Sequence, residues 1–400
     1  MTPKRVALLA AFAFGLAAPA PLAACLPSSE GAADPRPLVT VDLAAAGDLL
    51  IHGPVARAGL RRGRYDFRPL LAPIAPIIRR ADVALCHVET PVGAGARSGY
   101  PLFNAPGELA AAIHWAGWDA CSTASNHSID RGMWGIRATI HALHEAGVRT
   151  TGTARSSAEA RRILVVTVRG IRIAFLAYTY GTNGLPLPAP WAVNVLGDRV
   201  PRAAQRILAE ARRARRLGAD LVVVNVHWGL EYVHAPTARQ RRLARRVLRP
   251  HGVDLILGQH AHVVQPIARV HGRFVVYGEG NLLSGQGPDC CPPASQDGLI
   301  ALVRVGTARG RARVRRVDYV PTRVLHPGYV VVPVSYRATA LARADEGGSE
   351  LARELRASYR RTVRVVGRTR FTRPVPPLGR ARSALASRRA VRLAPDHRAR

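Results

Sequence analysis

The chain has 400 residues, 48% of them hydrophobic, enough to bury one large core or two smaller ones and to exclude disorder throughout. Its formal net charge of +32 would by itself point to nucleic acid or another polyanion as partner. Lys4 is the only lysine, however, so the excess is arginine beside abundant Ala, Gly and Pro; a GC-rich genome produces the same bias, and no zinc-finger, RNA-binding-strand or helix-turn-helix signature accompanies it.

In chain order, "MTPKR" is a short basic region and "VALLAAFAFGLAAPAPLAA" is apolar but too interrupted by proline for a spanning helix. This predicts an export signal over residues 1–24. Leu22-Ala23-Ala24-Cys25 resembles the bacterial lipobox, which implies cleavage before Cys25, acylation of its thiol and tethering to the outer face of a membrane. An ordinary cleaved signal, and hence secretion, is the other reading. Residues 25–37 read as a flexible tether, and no later stretch is apolar enough to span a bilayer.

A periodic order begins at residue 38. Strand-like "LVTVDLAAAGD" is followed by helix-like "FRPLLAPIAPIIRRA", strand-like "DVALCHVET", helix-like "ELAAAIHWAGW", strand-like "DACSTASNH" and the amphipathic "GIRATIHALHEAG". Two β-rich runs around Arg169-Gly170 then predict a hairpin. A long arginine-rich helix "RAAQRILAEARRARRLG", strand "DLVVVNVHWG", helix "ARQRRLARRVLRPHG" and strand "VDLILGQHAH" follow, and "FVVYGEGN" and "DGLIALVRVGTARGRARVRRVDYVP" supply further strands. Strands alternating with helices predict a layered α/β domain over residues 38–335. Residues 336–400 are rich in Arg, Ala and Ser and read as a solvated tail, with one short helix near "SELARELRASYRRTV".

Polar clusters stand just past the strand ends. They are "AAGDLLIH" with Asp48 and His52, "CHVETP" with His87 and Glu89, "ASNHSIDRG" with Asn126, His127 and Asp130, "NVHWGLEY" with His227 and Glu231, and "GQHAHVVQP" with His260 and His262. In an extended segment His260 and His262 would share one face, a chelating arrangement. Ligands gather at the carboxyl ends of strands in α/β sheets. Carboxylate, carboxamide and imidazole together suit a divalent ion such as Mn, Fe, Zn or Co, and so many ligand types leave room for two ions. His114, His141 and His144 fall on helix-like stretches and read as surface or packing residues. Besides Cys25 four cysteines remain; Cys86 and Cys121 sit in strand-like runs and read as buried thiols or one bridge, while Cys290 and Cys291 lie in a Gly/Pro-rich loop.

The order G-D, V-E-T-P, S-N-H-x-x-D-x-G, H-W-G-x-E-Y, G-x-H-x-H-V-V-Q-P and Y-G-x-G-N, over about residues 40–285, resembles the CapA-type poly-gamma-glutamate capsule protein family, a branch of the calcineurin-like metallophosphoesterases. The resemblance implies a four-layer α/β/β/α sandwich with a two-metal centre. On this chain it implies Asp48 ligating one ion, Glu89 at the position of a bridging carboxylate, Asn126 ligating through its amide oxygen, and His227, His260 and His262 completing the shells. His127 matches the histidine that faces the substrate as general acid. An imidazole, whose ordinary pKa lies near neutrality, suits that role. His87 departs from the asparagine common in the family, and can add a ligand, hydrogen-bond the site or do neither; His52 does not fit the D-x-H spacing. Glu231 and Tyr232 are candidates to orient His227.

The expectation is an exported, membrane-tethered, metal-dependent hydrolase of capsule or exopolymer assembly, acting on an anionic polymer or a phosphoester beside capsule synthase proteins. A non-catalytic factor that holds polymer or a synthase on the same fold is the alternative.

Overall fold

The computed structural model describes residues 39–308, 311–335 and 350–376. The segments expected to be an export signal, a lipobox with Cys25 and a tether, and the last 24 residues, 377–400, lie outside them.

Four strands start the first sheet: β1 (Thr40–Leu50), then, after two-residue ribbons β2 (Leu60–Arg61) and β3 (Arg64–Tyr65), β4 (Val83–Val88); after the ribbons β5 (Val92–Gly93) and β6 (Ala105–Pro106) come β7 (Ala120–Ser122) and β8 (Arg149–Thr151). The second sheet takes β9 (Leu164–Val168), β10 (Ile171–Thr179), β11 (Leu221–His227), β12 (Leu255–Gln259), β13 (Ile267–Val270) and β14 (Arg273–Val276). The chain then returns to the first sheet with β15 (Asn281–Ser284), β16 (Asp297–Ala308), β17 (Arg311–Leu325) and β18 (Val330–Pro333). The first sheet runs β18-β17-β16-β1-β4-β7-β8, with β15 alongside the end of β1; the second runs β13-β14-β12-β11-β10-β9. The central strands β1, β4, β7 and β8 are mutually parallel, as are β10, β11, β12 and β14, so their carboxyl ends share one edge.

Apolar residues fill both faces of the central strands because both faces of each sheet are buried. Along β1, Val41, Leu43 and Ala45 pack between the sheets, whereas Ala44, Ala46 and Leu49 face the helices outside. Along β10 and β11, Ile173, Phe175, Leu221 and Val223 meet the first sheet, and Ala174, Leu176, Val222 and Val224 face the opposite helical layer. Each Val, Leu, Ile or Phe among them contributes about 1.5–3 kcal/mol on burial. Helices therefore cover the outer face of each sheet, and the layers read α/β/β/α.

The covering helices follow their sequences closely. Val200–Arg216 turns Ala203, Ala204, Ile207, Leu208 and Ala211 inward, and its arginines point out. Ala238–Val247 starts at a capping box between Thr237 and Gln240. The helix-like run at 67–81 is instead two four-residue turns, Arg68–Leu71 and Ala75–Ile78. Pro73 and Pro76 remove main-chain donors that a continuous helix needs there. The hairpin turns at Arg169 and Gly170, with φ of 47° and 81°.

Residues 350–376 differ from a solvated tail. Glu350–Val366 is a seventeen-residue helix that buries Ala352, Ser358, Thr362 and Val366, and Val366 reaches the core between the sheets. Arg361 Nε lies 2.8 Å from Asp297, and buried Arg323 pairs with both Asp297 and Glu354. Beyond it, the chain of Phe371 and Arg373 hydrogen-bonds to Val317 and Tyr319 of β17. Val363, Val365, Val366 and Phe371 pack against the core between the sheets alongside the small residues and ion pairs, and the many arginines of the segment mask this apolar face in the sequence. Cys86 and Cys121, opposite each other in β4 and β7, are joined, as are the neighbours Cys290 and Cys291.

Candidate metal centre

The site lies at the shared carboxyl edge, where residues 277–281 cross from one sheet to the other. Glu279 N donates to Gly258 O at 2.9 Å, beside β12, and Asp48 N donates to Gly280 O at 3.0 Å, tying β1 to the same crossing. Gly47 makes that approach possible: a Cβ there would stand 1.7 Å from Gly280 O. β1, β4, β11 and β12 thus deliver Asp48, His87, Glu89, His227, His260 and His262 to one place, all buried.

His260 and His262 get there by a route other than strand alternation. β12 ends at Gln259, and both histidines lie beyond it with φ of 87° and 54°. Non-glycine residues adopt this left-handed region only where surroundings compensate, and such strain collects at functional sites. The two rings end 5.9 Å apart, and His260 N points at the Asp48 carboxylate at 3.3 Å.

Two groups of three form. Asp48, His87 and His227 bring ligand-type atoms within 4.8 Å of one another, and so do Glu89, His260 and His262. The groups adjoin: Glu89 Oε1 is 3.7 Å from Nε2 of both His227 and His262, and Asp48 Oδ2 is 3.2 Å from His262 Nδ1. Asn126 turns its amide oxygen to His227 Nε2 at 2.7 Å, while its Nδ2 donates to Asn183 Oδ1. All six residues expected from the sequence as ligands therefore meet. His87 joins them: Ser122 holds its Nδ1 at 2.6 Å, and its Nε2 faces Asp48 at 3.7 Å.

The donor set fits a divalent cation. His87 Nε2, both oxygens of Glu89, His227 Nδ1 and His260 Nδ1 are buried with no hydrogen-bond partner. Each such orphan costs roughly 1–3 kcal/mol, so five in one centre call for a shared partner. Burial pushes the Glu89 carboxyl well above its ordinary range and pushes His227 and His260 well below theirs; His87 falls to about 4 for the same reason. Burial also opposes charge on His262, but Glu89 and Asp48 outweigh it and lift this imidazole to about 9.

His127 stands beside the centre. Asp130 Oδ2 engages its Nδ1 at 2.8 Å and also accepts from Phe103 N, and the Phe103 ring meets the imidazole edge-on at 4.8 Å. His52 belongs to neither group of three; its Nδ1 accepts from Gly285 N, and burial lowers it to about 4. Glu231 is exposed, and among the described residues no hydrogen bond joins it to His227. Tyr232 sits by His262 instead, ring to ring at 6.2 Å, and receives Gln286 Nε2 at 3.0 Å. His114, His141 and His144 are exposed on helices, as their positions suggest. Asn183, Ser122 and Asn281, which hold Asn126, His87 and His262, went unread in the sequence; only Asn281, ending Y-G-x-G-N, carried a motif signal.

Residues 42–286 match the family described as "Bacterial capsule synthesis protein PGA_cap". The chain is 29% identical over 248 residues to a capsule biosynthesis protein CapA of Bacillus anthracis, spanning 60% of this chain and 59% of that protein. It is 32% identical over 167 residues to the PGA biosynthesis protein CapA of Bacillus subtilis (strain 168), 42% of either chain. The chain thus spans less than two thirds of the length of these relatives. Among solved structures it is similar to the calcineurin-like phosphoesterase YfkN of Bacillus subtilis, with a TM-score of 0.44 and 14% identity over 82% of this chain and 99% of that one. With its strand-end motifs spread through the matched span from Asp42 to Gln286, the chain belongs to the bacterial capsule synthesis protein family PGA_cap.

Proposed function

We propose that this protein is an extracytoplasmic, dinuclear metal-dependent hydrolase in the biosynthesis of capsule or poly-gamma-glutamate exopolymer. The observation that supports it best is the set of five partnerless ligand-type atoms within two adjoining groups of three. Asp48, His87 and His227 would hold one ion; Glu89, His260 and His262 would hold the other, with Asn126 adding its amide oxygen. Divalent ions bound there supply Lewis-acid polarisation of a phosphoryl or carbonyl oxygen. Mn, Fe, Zn and Co all suit imidazole mixed with carboxylate.

The chain's own groups do the rest. Asp130 accepts from Nδ1 of His127, and the imidazolium form of that ring would give its Nε2 proton to the leaving oxygen of an anionic polymer or phosphoester, returning to the neutral ring. Phe103 fixes that ring from the side. The arginine-rich surface draws an anionic substrate; with no zinc-finger, RNA-binding-strand or helix-turn-helix signature in the sequence, nucleic acid is not the partner proposed. Export with a lipid on Cys25 would place the site on the outer face of the cell membrane, near capsule synthase proteins.

The test is elemental analysis of the purified protein with assay of a chromogenic phosphoester and of poly-gamma-glutamate. Wild type should carry close to two transition-metal ions per chain, and Asp48→Ala and His260→Ala should lose metal and turnover together. Full metal retention in both variants would remove the assignment.

A further inference from the structure

We propose that Asn281 is a positioning residue that fixes which nitrogen of His262 faces the cations; the inference rests on the metal-centre reading above. Asn281 is buried at the start of β15, with every polar atom of its carboxamide engaged. Nδ2 donates to Ser295 O at 2.7 Å and to Gln286 Oε1 at 2.9 Å. A main-chain carbonyl only accepts, so the contact with Ser295 settles which end of the amide is nitrogen.

Oδ1 is then the end that faces His262, 3.1 Å from Nδ1. An amide oxygen also only accepts, so Nδ1 must carry hydrogen, and in the neutral ring the lone pair belongs to Nε2. That nitrogen is the one beside Glu89, at 3.7 Å. Asp48 Oδ2, 3.2 Å from Nδ1, favours the same proton while it is free, but a carboxylate that turns to a cation gives up that hold and Asn281 keeps it. Gln286 locks the amide from behind, its Oε1 accepting from Asn281 and its Nε2 donating to Tyr232 Oη at 3.0 Å. The loop between β15 and β16 therefore reaches the centre through one carboxamide.

Outer partners of this kind are worth about 10–100-fold in metal affinity. The direct test is nitrogen-15 imidazole spectroscopy of the zinc-loaded full chain, with zinc affinity measured by titration. In wild type, His262 should show a protonated Nδ1 and a zinc-bound Nε2. Asn281→Leu should weaken zinc by about 10–100-fold and lose the single ligation mode; Asn281→Asp, which keeps the acceptor, should retain the Nε2 ligation. Ligation through Nδ1 in wild type would overturn the proposal without need of any variant, as would unchanged zinc affinity in a folded Asn281→Leu. A wild type that binds no zinc, manganese, iron or cobalt would instead overturn the metal-centre reading beneath it.

Discussion

The amide oxygen of Asn126 stands 2.7 Å from Nε2 of His227, though 101 residues separate them, and Asn183 holds the other end of that amide at 3.1 Å. The contact joins the loop after β7 in the first sheet to the last residue of β11 in the second. Asn126→Leu should leave that nitrogen buried and unpaired. A loss of about 1–3 kcal/mol in stability is expected, with a lower metal content, read by denaturant unfolding and elemental analysis. Unchanged values in both would mean that the contact is incidental.

His87 stands in the centre, with Ser122 holding Nδ1, the partnerless Nε2 facing Asp48 at 3.7 Å and the His227 ring 4.9 Å away. His87→Ala should cost one ion of the pair and spare the other. Metal counts near one per chain would bear this out; counts equal to wild type would return His87 to a packing role.

His127 touches neither group of three through a ligand-type contact, so His127→Ala should keep metal and fold. Turnover should fall roughly 100- to 10,000-fold if the side chain serves as general acid. Asp130→Asn should show a smaller loss, since it changes the orientation of the ring and not its presence. Cells carrying His127→Ala that make capsule normally would favour the non-catalytic, polymer-holding alternative.

Glu279 gives a pH signature separate from turnover. Burial raises its carboxyl from 4.5 to about 8, with Asp48 adding to the rise and Gln259 opposing it. The native state therefore keeps a proton that the unfolded chain releases, so this group's contribution is full below pH 4.5 and is lost as pH climbs to about 8. The loss approaches about 1.4 kcal/mol per pH unit inside that window. Glu279→Gln should flatten the slope between those limits in urea titrations. An unaltered pH profile would show that Glu279 ionises freely in the fold.

Gly47→Ala should be among the most damaging single-methyl changes available. The added Cβ would press into Gly280 O at 1.7 Å, and both partners are main chain, so neither can swing away. The expected result is loss of soluble folded protein, or a folded form whose metal content collapses because Asp48 is displaced. A stable, metal-replete variant would mean that the crossing at residues 277–281 is laxer than its hydrogen bonds suggest.

Much of this was legible before any fold was known. The runs in β1, β10, β11 and β12 are mostly apolar on both faces, which reports burial on both, and Asp48 and His227 stand at, and Glu89 and Asn126 just past, the strand ends at which α/β sheets present their ligands. Those signals are local, since each depends on a few neighbouring residues. The resemblance carried by the six motifs supplied the layer order, and the packing of the two sheets agrees with it.

The rest was decided by groups far apart in the chain. His260 and His262 converge through two left-handed residues, which no hydrophobic period encodes. His87 becomes a ligand-type group because Ser122, from a neighbouring strand, takes its other nitrogen, and Asn281 finds His262 because the chain crosses between sheets. Glu350–Val366 docks through ion pairs, small side chains and Val363, Val365 and Val366 at its end, so its arginine-rich sequence resembles that of a solvated helix. Sequence alone determined which chemistry was available and where each strand would release it; tertiary structure decided the partners, because burial and hydrogen-bond direction at one residue are set by whichever distant residue arrives beside it.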